Sequence, residues 1–182
     1  MFELCILDAL TTLTGKEVSL MLPLYKKILV TTDFTPNSDN AFRHAVMLAR
    51  QNNSEIHLLH VIQQVDSSMR SYLTSVMGES RLEEFERDNI QKATEELKRE
   101  LDQFAQRELT DYPDDLARFA GARVVTGHPV VKILETADEL EADVIVMGTH
   151  GKGPLEHTFL GSVTEKVLRK CRRPVFVIPL QP

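Results

Sequence analysis

Between Lys26 and Ile178 the chain alternates five short apolar runs with stretches of helical periodicity, and few folds accept that order. The runs are Ile28-Leu29-Val30, Ile56 to Ile62, Ala122 to Val125, Val144 to Met147 and Val175 to Ile178. Runs this short, rich in leucine and β-branched residues, read as strands. Between them Phe42, Ala45, Val46 and Ala49 recur at helical spacing. So do Val131, Ile133, Leu134, Ala137 and Leu140, and then Val163, Val167, Leu168 and Cys171. Strands that are apolar throughout and separated by helices call for right-handed crossovers and a parallel sheet covered on both faces. The fold class is α/β.

The punctuation between these elements is partly legible. Ser38 is the expected cap of the first helix, and Gln51-Asn52-Asn53-Ser54 ends it. The polar, serine-rich stretch from Gln63 to Ser80 reads as a mobile connection. A long helix is expected from about Glu79 to Leu109, with Leu82, Phe85, Ile90, Ala93, Leu97, Leu101 and Phe104 on its apolar side. Its many charges read as a solvated face with i, i+4 pairs. Tyr112-Pro113-Asp114-Asp115 makes a loop, and Pro129 suits the first turn of the following helix.

A length of 182 residues fits one domain with a sizeable core. The chain divides into an accessory extension, residues 1–25, and a regular domain, residues 26–182. The start, Met1 to Asp8, is apolar but carries Glu3 and Asp8 and lacks the basic residues that open a signal peptide. It reads as a segment that packs on the body or on a partner, with Met21 as an alternative start of translation. The formal net charge of -6 argues against general nucleic-acid binding, which needs a basic excess to displace counterions. Cys5 and Cys171 are too few for a disulfide framework or a zinc site and fit a reducing, cytoplasmic setting. No apolar run approaches the roughly 18 residues of a membrane span.

Chemistry is carried by one glycine pattern: Gly148-Thr-His-Gly151, nine residues, then Gly161-Ser162. It follows an apolar strand and precedes a helical start. At such a helix N-terminus, unpaired N–H groups and the positive end of the dipole suit a phosphate. It is not a P-loop, because Lys152 is followed by Gly153 rather than Ser or Thr. Nor is it the dinucleotide fingerprint, which opens the first helix of such a fold. In open α/β sheets ligands sit beyond the carboxyl ends of strands where strand order reverses. Asp33 and Gly148, which end the first and fourth runs, meet there if those strands are neighbours; the pattern leaves that adjacency open.

Three segments together, Lys26-Lys-Ile-Leu-Val-Thr-Thr-Asp33-Phe-Thr, Leu58-Leu-His-Val-Ile62 and Gly148-x2-Gly151-x9-Gly161-Ser162, resemble the universal stress protein family, in particular its ATP-binding branch. The resemblance covers about residues 25 to 179. It implies a five-stranded parallel sheet of order 3-2-1-4-5, Rossmann-like and similar to the adenine nucleotide alpha hydrolases. It also implies ATP over strands one and four. By that resemblance Thr31, Asp33 and Val61 line the adenine end, and Met147 and Gly148 lie near adenine and ribose. Gly151, Gly161, Ser162 and Val163 hold the phosphates, the last three through backbone amides and Ser162 also through its hydroxyl. Mg2+ is expected on the phosphates, bound mainly by nucleotide oxygens and water. Family members pair the last strand across a two-fold axis, so Val175 to Ile178 implies a homodimer.

Each residue keeps a second reading. Asp33 can cap the loop after the first strand. Ser162 and Glu165 form a capping-box pattern that needs no ligand. His60, on an apolar strand, reads as a hydrogen-bonded core histidine. His150 and His157 flank Lys152 near the phosphates but lack a positioned acidic partner, so neither is assigned as a base. No Gly-x-Ser-x-Gly elbow, His-x-Gly-His motif or Ser-Gly-Gly-x-x-Ser loop is present, so at most slow ATP hydrolysis is expected. The expected role is a nucleotide-dependent regulatory or stress-response protein, with a regulatory protein partner open. The alternatives are a nucleotide-independent homodimeric module and a sensor of AMP or cyclic AMP.

Overall fold

The computed structural model describes residues 24–64, 67–149 and 160–179. The expected extension up to residue 23 lies outside the described residues, as do Gly151, His150, Lys152 and His157. In chain order the elements are β1 (Lys27–Thr32), α1 (Pro36–Asn52), β2 (Glu55–Gln63), α2 (Ser67–Met77), α3 (Glu79–Leu109), α4 (Pro113–Leu116), β3 (Phe119–Gly127), α5 (Pro129–Glu139), β4 (Val144–Gly148), α6 (Ser162–Lys170) and β5 (Val175–Ile178). The five strands form one parallel sheet in the order β3-β2-β1-β4-β5.

The strand pleat sorts the core into two layers. Ile28, Val30, Leu58, Val144 and Val146 face α1 and the C-terminal half of α3, where they meet Phe42, Ala45 and Leu101. Leu29, Leu59, Ile145 and Met147 face α5 and α6 and meet Ile133, Ala137 and Val167. Neighbours in sequence therefore serve opposite faces, which is why β1 and β4 read as unbroken apolar runs. Each fully buried Leu, Ile or Phe contributes about 1.5–3 kcal/mol of transfer free energy.

Several boundaries differ from expectation. The cap of α1 is Thr35, not Ser38. Pro36 follows at the first helical position, and Ser38 is the reciprocal partner whose hydroxyl accepts from the Thr35 amide at 3.1 Å. Thr-x-x-Ser works as a capping box because both short hydroxyls reach the orphan amides of the first turn. Asn53 ends the helix in the left-handed region (φ 51°). The stretch read as a mobile connection contains α2, an eleven-residue helix with none of its residues buried. It lies against α3, and Arg70 pairs with Glu86 at 3.5 Å. The short loop at Tyr112 winds into α4, where Asp115 is buried and accepts from Arg50 and Arg118 lies near it. The Arg50 guanidinium also sits over the Tyr112 ring at 4.7 Å.

The long helix has its expected bounds but not its expected apolar face throughout. Leu82, Leu101, Ala105 and Leu109 are buried, whereas Phe85 is 58% exposed. At 1.5 Å per residue, α3 is about 46 Å long, against about 30 Å for its nine-residue neighbours β2 and β3, so its N-terminal part overruns the sheet. On α5 the buried face is Val130, Ile133 and Ala137, with Val131 exposed. On α6 it is Thr164 and Val167, with Leu168 exposed.

Candidate functional site

Strand order reverses between β1 and β4, which are hydrogen-bonded neighbours. From the end of β1 the chain turns into α1 on one face; from the end of β4 it continues toward α6 on the other. The divergence opens a crevice at the carboxyl edge, where ligands bind in sheets of this kind. A cavity of about 760 Å³ lies there. Its walls include Thr31, Asp33, Val61, Met147 and Gly148, together with Gly161, Ser162 and Val163 at the start of α6. Eight of the nine residues singled out in the sequence thus line one cavity; the ninth, Gly151, lies outside the described residues.

Asp33 serves the turn after β1 as well as the cavity wall. Its Oδ1 accepts from Thr35 Oγ1 at 2.6 Å and from the Thr35 amide at 3.3 Å. That turn holds Phe34 at φ 63°, an uncommon conformation for a bulky residue, with its amide donating to Thr32 Oγ1 at 3.1 Å. Backbone strain of this kind persists where the surroundings over-determine it and clusters at functional sites.

Gly148 owes part of its identity to a neighbouring side chain. A β-carbon there would lie 2.5 Å from Asn37 Nδ2, far inside contact distance. Asn37, on the first turn of α1, is 3% exposed and its Nδ2 lies 3.5 Å from Thr149 Oγ1. The missing side chain thus lets α1 close against the end of β4.

At the start of α6 the structure revises two expectations. Gly161 is the N-cap, with extended backbone (φ -66°, ψ 151°), and Ser162 is the first helical residue, so the Ser162–Glu165 capping box does not form. The exposed Ser162 hydroxyl is therefore not a cap that a ligand must displace. The Gly161 amide donates to the Thr149 carbonyl at 2.6 Å, and the first helical bond runs from Glu165 N to Gly161 O. The amides that lack an intrahelical partner are those of Ser162, Val163 and Thr164. They offer the anion-binding end of the helix in place of the expected Gly161, Ser162 and Val163 set.

His60 is hydrogen-bonded, through Nδ1 to the Thr32 carbonyl at 2.8 Å, but it is a wall of the cavity rather than a core residue. Its ring lies 4.7 Å from that of Phe34. On β2 it stands two residues beyond the buried Leu58, toward the carboxyl edge where the cavity opens. Sequence reasoning also missed Thr164, Pro129 and Ile133, and Ala93 and Leu97 of α3. Thr164 was legible as a polar residue in the first turn of α6; the α3 pair carried only the signal of a packing stripe. Among the described residues no group of three or more His, Cys, Asp or Glu is placed to hold a metal. No described helix is long and apolar enough to cross a membrane.

A doubly wound α/β domain with a helix N-terminus and a glycine-ended strand meeting at its switch point defines a class of phosphate- and nucleotide-accommodating folds. Comparison narrows the class. The model of the universal stress protein family matches residues 24–179, and the chain belongs to that family. It is 35% identical over 159 residues to universal stress protein MJ0577 of Methanocaldococcus jannaschii, covering 85% of this chain and 95% of that one. The solved structure of MJ0577 superposes with a TM-score of 0.69 at 34% identity, covering 88% of this chain and 99% of that one. A universal stress protein solved in complex with cAMP shares the fold, with a TM-score of 0.58 at 21% identity over 87% of this chain and all of that one.

Proposed function

We propose that this chain is an ATP-binding regulatory protein in which nucleotide occupancy, rather than turnover, is the signal. The observation that carries the reading is the convergence of Asp33, Val61, Met147 and the first turn of α6 on one cavity at the β1–β4 switch point. Base and ribose would lie against Thr31, Val61 and Met147, with the phosphates at the Ser162–Thr164 amides and the Ser162 hydroxyl. Gly151 belongs to the same phosphate set by its place in the glycine pattern. Mg2+ would be carried by phosphate oxygens and water. The cAMP complex of a protein with this fold supports an adenine nucleotide at the level of the fold.

The same reading includes a homodimer. Among the described residues β5 is an edge strand, paired with β4 alone, and its Phe176 is 40% exposed. An apolar edge of this kind invites pairing with a second copy.

The test is denaturing extraction of the purified chain with chromatography of released nucleotide, followed by Mg-ATP calorimetry on the stripped protein. Recovered ATP or micromolar binding that Gly161→Val abolishes, with its melting curve unchanged, supports the reading. Tighter binding of AMP or cyclic AMP than of ATP moves the function to a monophosphate sensor. Absence of any nucleotide heat, with an intact dimer, moves it to a nucleotide-independent module.

A further inference from the structure

The cavity has a second half that the proposed ATP site leaves unused. By strand alternation Thr31, Leu59, Val61 and Met147 face the α5–α6 side of the sheet, while Thr32, His60 and Ile62 face the α1–α3 side. All seven line the same cavity, which therefore straddles the carboxyl edge of the sheet. On the α1–α3 side its walls are Phe34, His60, Ile62, Ala93 and Leu97, with the hydroxyls of Thr32 and Ser38, which are hydrogen-bonded to each other at 2.9 Å.

Apart from that hydroxyl pair, this half is built from aromatic and aliphatic surface held in place. The Phe34 ring is set by its left-handed backbone and lies tilted 57° against His60, which is itself anchored to the Thr32 carbonyl. Leu97 stands one turn before Leu101, on the stripe of α3 that packs on the sheet. At Leu97 and Ala93 that stripe is half-buried and lines the cavity. No Asp, Glu, Lys or Arg is among these walls. A flat ring finds stacking and apolar contact here, and a phosphate finds little.

We infer that this half is a subsite for a second planar heteroaromatic ring, so that the preferred ligand is a dinucleoside polyphosphate with one base on each side of the sheet edge. The inference rests on the nucleotide reading above. Doubly wound sheets bind two-base ligands across the crevice at the point of strand reversal, and a volume of about 760 Å³ lies in the upper part of the range for small-molecule sites.

The experiment titrates the full-length, nucleotide-stripped protein with Mg-ATP and, separately, with Mg-diadenosine tetraphosphate. Stacking of the second base is expected to make the dinucleotide bind about tenfold more tightly than ATP. Leu97→Glu should bring the two to parity while leaving ATP within about twofold, and Ala93→Phe, which fills the same space with an apolar group, should do likewise if Leu97→Glu fails to fold. Gly161→Val should weaken both ligands. Equal affinity of the unmodified protein for the two ligands overturns the inference and leaves the ATP reading standing. So does a dinucleotide advantage that survives both α3 variants. Loss of ATP binding in parallel with the dinucleotide also overturns it, because the α3 wall then belongs to the mononucleotide site. Failure of both ligands to bind the unmodified protein removes the ATP reading and the inference together.

Discussion

Thr164 Oγ1 donates to the carbonyl oxygen of Gly148 at 2.9 Å and so fastens the first turn of α6 to the end of β4. The two residues are sixteen apart in sequence, the bond is part-buried and Thr164 itself is 4% exposed, so the bond sets where the first amides of α6 point. Thr164→Val should cost about 1 kcal/mol in urea unfolding, the net worth of one such bond. Its loss of ATP affinity should exceed that of Thr164→Ser, which keeps the hydroxyl. Equal affinities for the two variants would mean that the bond does not position the phosphate end.

The contact between Gly148 and Asn37 makes a separate prediction. Gly148→Ala places a methyl group against the Asn37 amide and should destabilise the fold by about 1–3 kcal/mol, as overpacking does. Asn37→Ala combined with Gly148→Ala should cost less than the sum of the single changes, since residues in contact do not act additively. Simple addition in the double-variant cycle would place the glycine requirement at the ligand instead.

His57 gives the stability a pH dependence. Burial pulls its pKa below the ordinary 6.5, against the raising effect of Glu55, whose carboxylate lies 3.5 Å away; Arg123 and Lys27 add to the lowering. Between the folded value and 6.5 the unfolded chain binds more protons than the folded one, so stability rises with pH there. The contribution is complete above the unfolded pKa and is lost as pH falls through the folded one. Urea midpoints measured from pH 8 down to about pH 5 should decline, and His57→Gln should flatten the decline. An unchanged slope in the variant assigns the effect to other groups.

Burial separates two ion pairs of similar appearance. Arg43–Glu108 joins α1 to α3 at the surface at 2.7 Å, and such pairs are worth about 0.2–1 kcal/mol at most. Asp115, 3% exposed, holds α4 against Arg50 and Arg118. Asp115→Ala should therefore lower the thermal midpoint by several times the shift of Glu108→Ala. Equal shifts would show that the α4 turn contributes no more than a surface contact.

The parts legible in the chain were those written in local pattern. The runs around Val30, Leu58, Val124, Val146 and Val177 all became strands, because an apolar run of this length has few other ways to bury both faces. The extent of α3 was also legible, because apolar residues recur at near-helical intervals from Leu82 to Phe104 with no proline or glycine between them. The cap of α1 was misplaced by three residues because Thr35 and Ser38 are both good caps and are in fact each other's partners. α2 was hidden because five of its eleven residues are serine or threonine, which compete for backbone hydrogen bonds and read as loop, and because it buries nothing.

Taken alone, the order of residues determined the fold class, the carboxyl-edge position of Asp33 and Gly148 and the glycine-marked start of the last helix. All of these follow from periodicity and from the backbone freedom or capping chemistry of single residues. Tertiary structure decided what distant residues do to one another. The β1–β4 pairing brought Asp33 and Gly148 to one crevice. The Thr149 carbonyl took the Gly161 amide and left those of Ser162 to Thr164, and the packing of α3 beside the sheet made Ala93 and Leu97, half-buried, part of a cavity wall. Such contacts join residues through space across many positions of chain, and no local pattern encodes the distance between them.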